Sequence, residues 1–142
     1  MRTNQEVFDS VMKWLTRDGA SRCVREEVFG GEVCVYYNPV NENRCAIGGD
    51  LPLEFAKKLG HAAVGIDGIC TNRPWEEKEE SFVPEDLAKS IIEYYNGVSL
   101  ELLDELQRLH DDRNNWGVEG FIGHSTAENI AHAHGLVYNY AR

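Results

Sequence analysis

At 142 residues, 42% of them hydrophobic and with three Trp, six Tyr and five Phe, the chain has material for one core. That excludes a disordered chain and two ordinary domains alike. Acids outnumber bases 24 to 14, a net charge of −10, which excludes general nucleic-acid binding through a basic face. The same surface suits a basic partner, including a protein whose nucleic-acid groove acids can occupy, and it equally serves plain solubility.

Met1–Glu6 carries no apolar h-region, and no apolar run approaches the length of a bilayer span. A cytoplasmic protein, with no membrane association and no cofactor, is the expectation. Cys23, Cys34, Cys45 and Cys70 include no close C-x-x-C pair of the kind structural zinc uses, so reduced thiols are expected.

Thr3-Asn4-Gln5-Glu6 reads as a capping box, in which Thr3 and Glu6 each satisfy a free N–H of the first turn. Val7, Phe8, Val11, Met12 and Leu15 follow at helical spacing and Gly19 supplies a stop. From about Arg22 to Gly48 the period changes to two. Glu32–Tyr37 alternates as a strand, Asn38-Pro39-Val40-Asn41 has type I turn composition, and Arg44–Ile47 returns as a second strand. A tight turn sets Cys34 opposite Cys45, either as a cross-strand disulfide or as two small buried thiols; a longer turn through Asn43 breaks the pairing.

Asp50-Leu51-Pro52 opens a short helix ended by Gly60, and His61–Thr71 is either a short strand or a packed loop. Residues 72–84, carrying the charge run Glu76-Glu77-Lys78-Glu79-Glu80, read as an exposed loop and the acidic contact surface. Glu76, Glu77, Glu79, Glu80, Glu85 and Asp86 are its candidate partner-binding residues. Pro84 begins a helix with Leu87, Ala88, Ile91, Ile92 and Tyr95, closed by Asn96-Gly97. Ser99 caps the next, with Leu102, Leu103, Leu106 and Leu109. Ser125-Thr126-Ala127-Glu128 reads as a second capping box, on a helix that Gly135 ends. The whole is one α+β domain over residues 1–142: N-terminal helix, β-hairpin, mainly helical C-terminal half.

Four of the five histidines fall in the last third. His132-Ala133-His134 on a strand would resemble a metal-binding pair, but on a helix residues two apart diverge by about 200°. His134 then joins the stripe Ala127, Ile130, Ala131, while His132 lies four residues beyond Glu128 at the surface. His110 continues the Leu103, Leu106 stripe inward. In one reading His110 and His134 pack near Trp116 and tie down the helix–helix turn. In the other they face each other with Asp111 or Asp112 as an acid–base couple or a metal pocket. The residues four before them, Leu106 and Ile130, supply no further ligand, so no metal is assigned.

Gly123, His124 and Ser125 end a Gly-bearing loop at a helix N-terminus, either an anion site or an ordinary connecting loop. The G-K-[ST] of a P-loop is missing, as are G-x-S-x-G and H-E-x-x-H. His61 carries no specific signal.

Several segments in this order resemble a family of short proteins found in bacteriophages and bacterial genomes. Gln5-Glu6-Val7-Phe8-Asp9 is similar to its opening helix, and Arg44-Cys45-Ala46-Ile47-Gly48 to its K-C-A-I-G strand, with Leu51-Pro52 for the following I-P. Leu103–Asp111 is similar to its L-x-x-L-Q-x-x-H-D helix; Trp116, Ile130-Ala131 and His134-Gly135-Leu136 are similar to its closing motifs. Residues from about Glu54 to Pro84 have no counterpart. The resemblance implies a phage or mobile-element setting inside a bacterial host cell, and no reaction.

The expectation is a small acidic accessory protein that binds a bacterial host or defence protein (one that itself binds nucleic acid included) as an inhibitor, without catalysis. The alternatives are a metal-dependent or nucleotide-sequestering protein using His110, Asp111 and His134, and a virion structural or assembly protein.

Overall fold

The computed structural model describes residues 2–27, 30–77 and 81–140. The architecture is α+β and mainly helical: seven α-helices and three two-stranded antiparallel ladders among the described residues. None of those helices is long and apolar enough to cross a membrane.

Helix α1 (Asn4–Leu15) starts on the expected box. Glu6 N donates to Thr3 Oγ1 at 3.1 Å and Thr3 N to Glu6 Oε1 at 2.9 Å, which holds the Glu6 carboxyl below its ordinary pKa. Val7, Phe8, Val11, Met12 and Leu15 are fully buried.

The expected hairpin is replaced by two. Strand β1 (Val24–Glu26) pairs β2 (Glu32–Cys34), so Cys34 faces Val24 rather than Cys45. Strand β3 (Tyr37–Asn38) then pairs β4 (Asn43–Arg44) around a turn through Glu42, whose φ of +60° is left-handed. Cys45 does not continue the strand. It caps helix α2 (Ala46–Asp50), its Sγ accepting from Gly48 N. All four thiols are free.

Glycines explain why the chain turns helical here. A Cβ on Gly48 would lie 2.2 Å from Tyr36 O, and one on Gly49 2.4 Å from the Trp14 ring. Only a bare backbone lets α2 close on α1 and β3. The Asp50 side chain at the end of α2 is wholly buried, held by both Arg2 guanidinium nitrogens (2.6 and 2.8 Å) and by Tyr95 OH (2.7 Å).

Helix α3 (Leu53–Leu59) follows Pro52 and ends at Gly60 as expected. Residues 66–71 are neither strand nor loop but helix α4 (Ile66–Thr71), because burial of Ile66 and Ile69 outweighs the surrounding glycines. The segment expected as an exposed loop holds a 3-10 turn (Pro74–Glu76), anchored by buried Pro74 and Val83, with Glu76 and Glu77 exposed. Glu79 and Glu80 lie outside the described residues.

Helices α5 (Glu85–Tyr94) and α6 (Leu100–Asp111) match expectation, Leu102 N donating to Ser99 Oγ at 3.2 Å. Helix α6 is the spine, touching α1, α2, α4 and, later in the chain, α7 (His124–Ala133). Strands β5 (Trp116–Gly117) and β6 (Gly120–Phe121) form a small hairpin between α6 and α7. The second capping box does not form. Helix α7 starts two residues earlier, with Gly123 at its N-cap and no side-chain cap, and Ser125 is exposed. A Cβ on Gly123 would meet the Asn115 carboxamide at 2.7 Å, so packing rather than capping sets this start.

After α7 the chain returns to α1. Val137 N donates to Gln5 Oε1 at 2.8 Å, Tyr140 OH to Asp9 Oδ1 at 2.6 Å, and both Tyr138 and Tyr140 meet Phe8 edge-on.

Candidate functional site

Helix α6 presents chemistry at two places. At its C-terminal end His110 is fully buried. Cys23 N donates to His110 Nε2 at 2.9 Å, so that nitrogen carries no hydrogen and the ring proton sits on Nδ1. Nδ1–H then donates to Asp111 Oδ1 at 2.8 Å, an oxygen that also accepts from Gln107 Nε2 at 2.9 Å. A doubly protonated ring would set Nε2–H against Cys23 N–H, so the buried imidazole is neutral. Trp116 packs edge-on at 5.8 Å and its Nε1 donates to His110 O. The packing reading of His110 against Trp116 holds.

Cys34 completes a group with His110 and Asp111, whose ligand atoms lie within 4.8 Å of one another. It resembles a nucleophile, base and orienting acid, but the connections run the wrong way. The ring's one lone pair is consumed by a backbone N–H, which leaves no base for the thiol. Burial, then the Asp111 charge, push the Cys34 thiol up to about 12 despite Arg22, so it is protonated at neutral pH. Burial lifts Cys23 to about 12 as well and Cys45 further. Cys34, Cys45, Tyr36, Gln107 and Asp111 line a cleft of about 210 Å³, in which burial holds both thiols protonated at neutral pH.

His134 belongs elsewhere. It caps the C-terminus of α7 and its Nε2 lies 2.7 Å from Oε2 of Glu105, which is five residues before His110 on α6. It shares no ligand group with His110 and Asp111; its neighbours are Glu101 and Glu105, again within 4.8 Å. The two histidines therefore do not form a shared site. The sequence signal that would have found Glu101 and Glu105 is an acid pair at i, i+4 on α6; Arg108, three residues beyond Glu105, pairs with Asp104 instead. His132 is exposed.

His124 starts α7 with Nδ1 against Tyr138 OH and its ring edge-on to Phe121. The depression beside it is lined by Asp18 and Glu119 as well as Arg17. His124 thus faces a mixed rather than a phosphate-attracting field, while Gly123 is buried and Ser125 exposed. His61 is exposed and paired with Arg25.

The acidic surface is present in part. Glu76, Glu77, Glu85 and Asp86 are all exposed. Glu76 meets Arg73 at 3.5 Å and Glu85 meets Lys89 at 3.1 Å, pairs too solvated to neutralise the face. Phe82, 47% exposed, stands within the same segment. No protein-family model matches the chain, and no curated protein or solved structure matches it.

Proposed function

We propose that this chain acts by binding a basic protein through the segment from Glu76 to Asp86, and not by catalysis. The observation that carries the reading is the exposed set Glu76, Glu77, Glu85 and Asp86, with Phe82 exposed in the same stretch of chain and Pro74 and Val83 buried as its anchors. Exposed acids complement a basic surface, an exposed aromatic offers an apolar contact, and fixed ends reduce the ordering cost of association. The saturated His110 and the protonated Cys34 support a non-catalytic role.

The resemblance to short bacteriophage proteins supports a bacterial host or defence protein as partner, one whose basic nucleic-acid groove the acids enter. The chain itself then contacts no nucleic acid and works in the bacterial cytoplasm as an inhibitor.

The test compares the wild type with Glu76→Lys, Glu77→Lys, Glu85→Lys and Asp86→Lys combined, as baits in bacterial lysate at low and high salt. A basic protein held by the wild type at low salt, released by salt and lost by the variant is the expected result. A partner retained equally by the folded variant would clear this segment of the role.

A further inference from the structure

We propose that Glu101, Glu105 and His134 form a binding site for zinc or a similar first-row divalent cation, at the join of α6 and α7. One ligand atom from each lies within 4.8 Å of the other two, and His134 Nε2 already stands 2.7 Å from Glu105 Oε2. A tetrahedral zinc with bonds of about 2.0–2.2 Å holds its ligands roughly 3.3 Å apart, so the His134–Glu105 contact opens slightly and Glu101 closes modestly. Glu101 is exposed and free to make it, whereas Glu105 and His134 are half-buried and positioned by the packing of α7 on α6.

Charge points the same way. Two carboxylates one turn apart repel, and no lysine or arginine of the described residues lies within ion-pair distance of either. The neighbouring Asp104 shows the ordinary remedy, an i+4 arginine, which Glu101 and Glu105 lack. A divalent ion supplies it. Without the ion Nε2–H donates to Glu105; on binding, that hydrogen is released to solvent, the ion takes the Nε2 lone pair, and the neutral ring keeps its proton on Nδ1. Imidazole with carboxylates favours zinc over magnesium or calcium, which prefer all-oxygen shells. Three protein ligands on an exposed helix face leave a fourth position to water.

The other group of similar closeness, Cys34 with His110 and Asp111, fails on the same criteria. Both His110 nitrogens are engaged, and ligation would strand the Cys23 N–H. The proposed ion sits just before the tail that packs on α1, so it would fasten the C-terminal strap.

The experiment titrates zinc into tag-free protein dialysed against a chelator. One ion per chain is expected, with Tm rising by about 5 °C or more at a hundredfold excess over Kd. Glu105→Gln and His134→Gln each weaken binding by about tenfold or more, Glu101→Gln weakens it less, and Cys34→Ser leaves it unchanged. Magnesium at the same concentration leaves Tm unmoved, and the cobalt complex lacks a thiolate charge-transfer band. No zinc binding, equal affinity in all three ligand variants, or an equal response to magnesium overturns the proposal. A thiolate band, or loss of binding in Cys34→Ser, moves the metal to the other cluster and overturns it as well. Glu101 is exposed, so its variant keeps the fold and carries the test even if His134→Gln does not.

Discussion

Two histidines on neighbouring turns of the same helical packing differ in what they have left to give. His110 is buried with both ring nitrogens consumed, one by a backbone donor 87 positions away and one by Asp111. His134 shares one nitrogen with a half-exposed carboxylate and has a second carboxylate in reach. Nearness to acids is common to both and does not separate them. Saturation does: the first imidazole is a structural tie, the second a ligand in waiting.

The largest expected effect comes from breaking the tie. His110→Ala removes a fully buried ring and strands the Cys23 N–H, so a loss of about 3–4 kcal/mol is expected in urea unfolding. His134→Ala, at a half-buried helix end, costs about 1 kcal/mol in chelator. Equal losses would erase the distinction between the two sites.

Next is the thiol beside His110. Cys34 and Cys23 have folded pKa values raised to about 12, above the ordinary thiol value of 9.0. Between these values the unfolded chain has lost the thiol protons and the folded chain keeps them, so stability falls as pH rises from 9 towards 12. Cys34→Ser makes that slope shallower. Alkylation of folded Cys34 at neutral pH is slow and unaffected by His110→Gln; a drop in rate would restore His110 as its base.

How far the sequence revealed this depended on whether the cause was local. The Thr3–Glu6 box, the Ser99 cap and the stripes of α1, α5 and α6 are written in residues three and four apart, and they appear as read. The strand expected over Arg44–Ile47 failed because Cys45 caps a helix whose Gly48 and Gly49 answer to Tyr36 and Trp14, contacts that no spacing within the segment contains. The Ser125 box failed for the same kind of reason, with Asn115 deciding where α7 begins. At the site, periodicity aimed His110 inward correctly, but the Cys23 N–H that neutralises it lies at the far end of the chain. Glu105, which His134 meets instead, stood beside the Leu106 stripe without a sequence cue tying it to α7.

The smallest effect is the most discriminating, because it changes sign. In chelator, Glu101→Gln removes a like-charge i, i+4 repulsion on α6 and should leave stability unchanged or raise it by about 0.2–0.5 kcal/mol. In zinc the same substitution removes a ligand, so the variant should melt below the wild type by part of the metal-induced rise. Differential scanning fluorimetry in the two buffers reads both signs on one pair of proteins. No purely structural role for Glu101 produces the reversal: a packing or capping residue would be missed equally in chelator and in zinc. The His110 group offers no counterpart, since its substitutions should cost the same in both buffers, and a variant there that became zinc-sensitive would show that saturation is not what separates the two imidazoles.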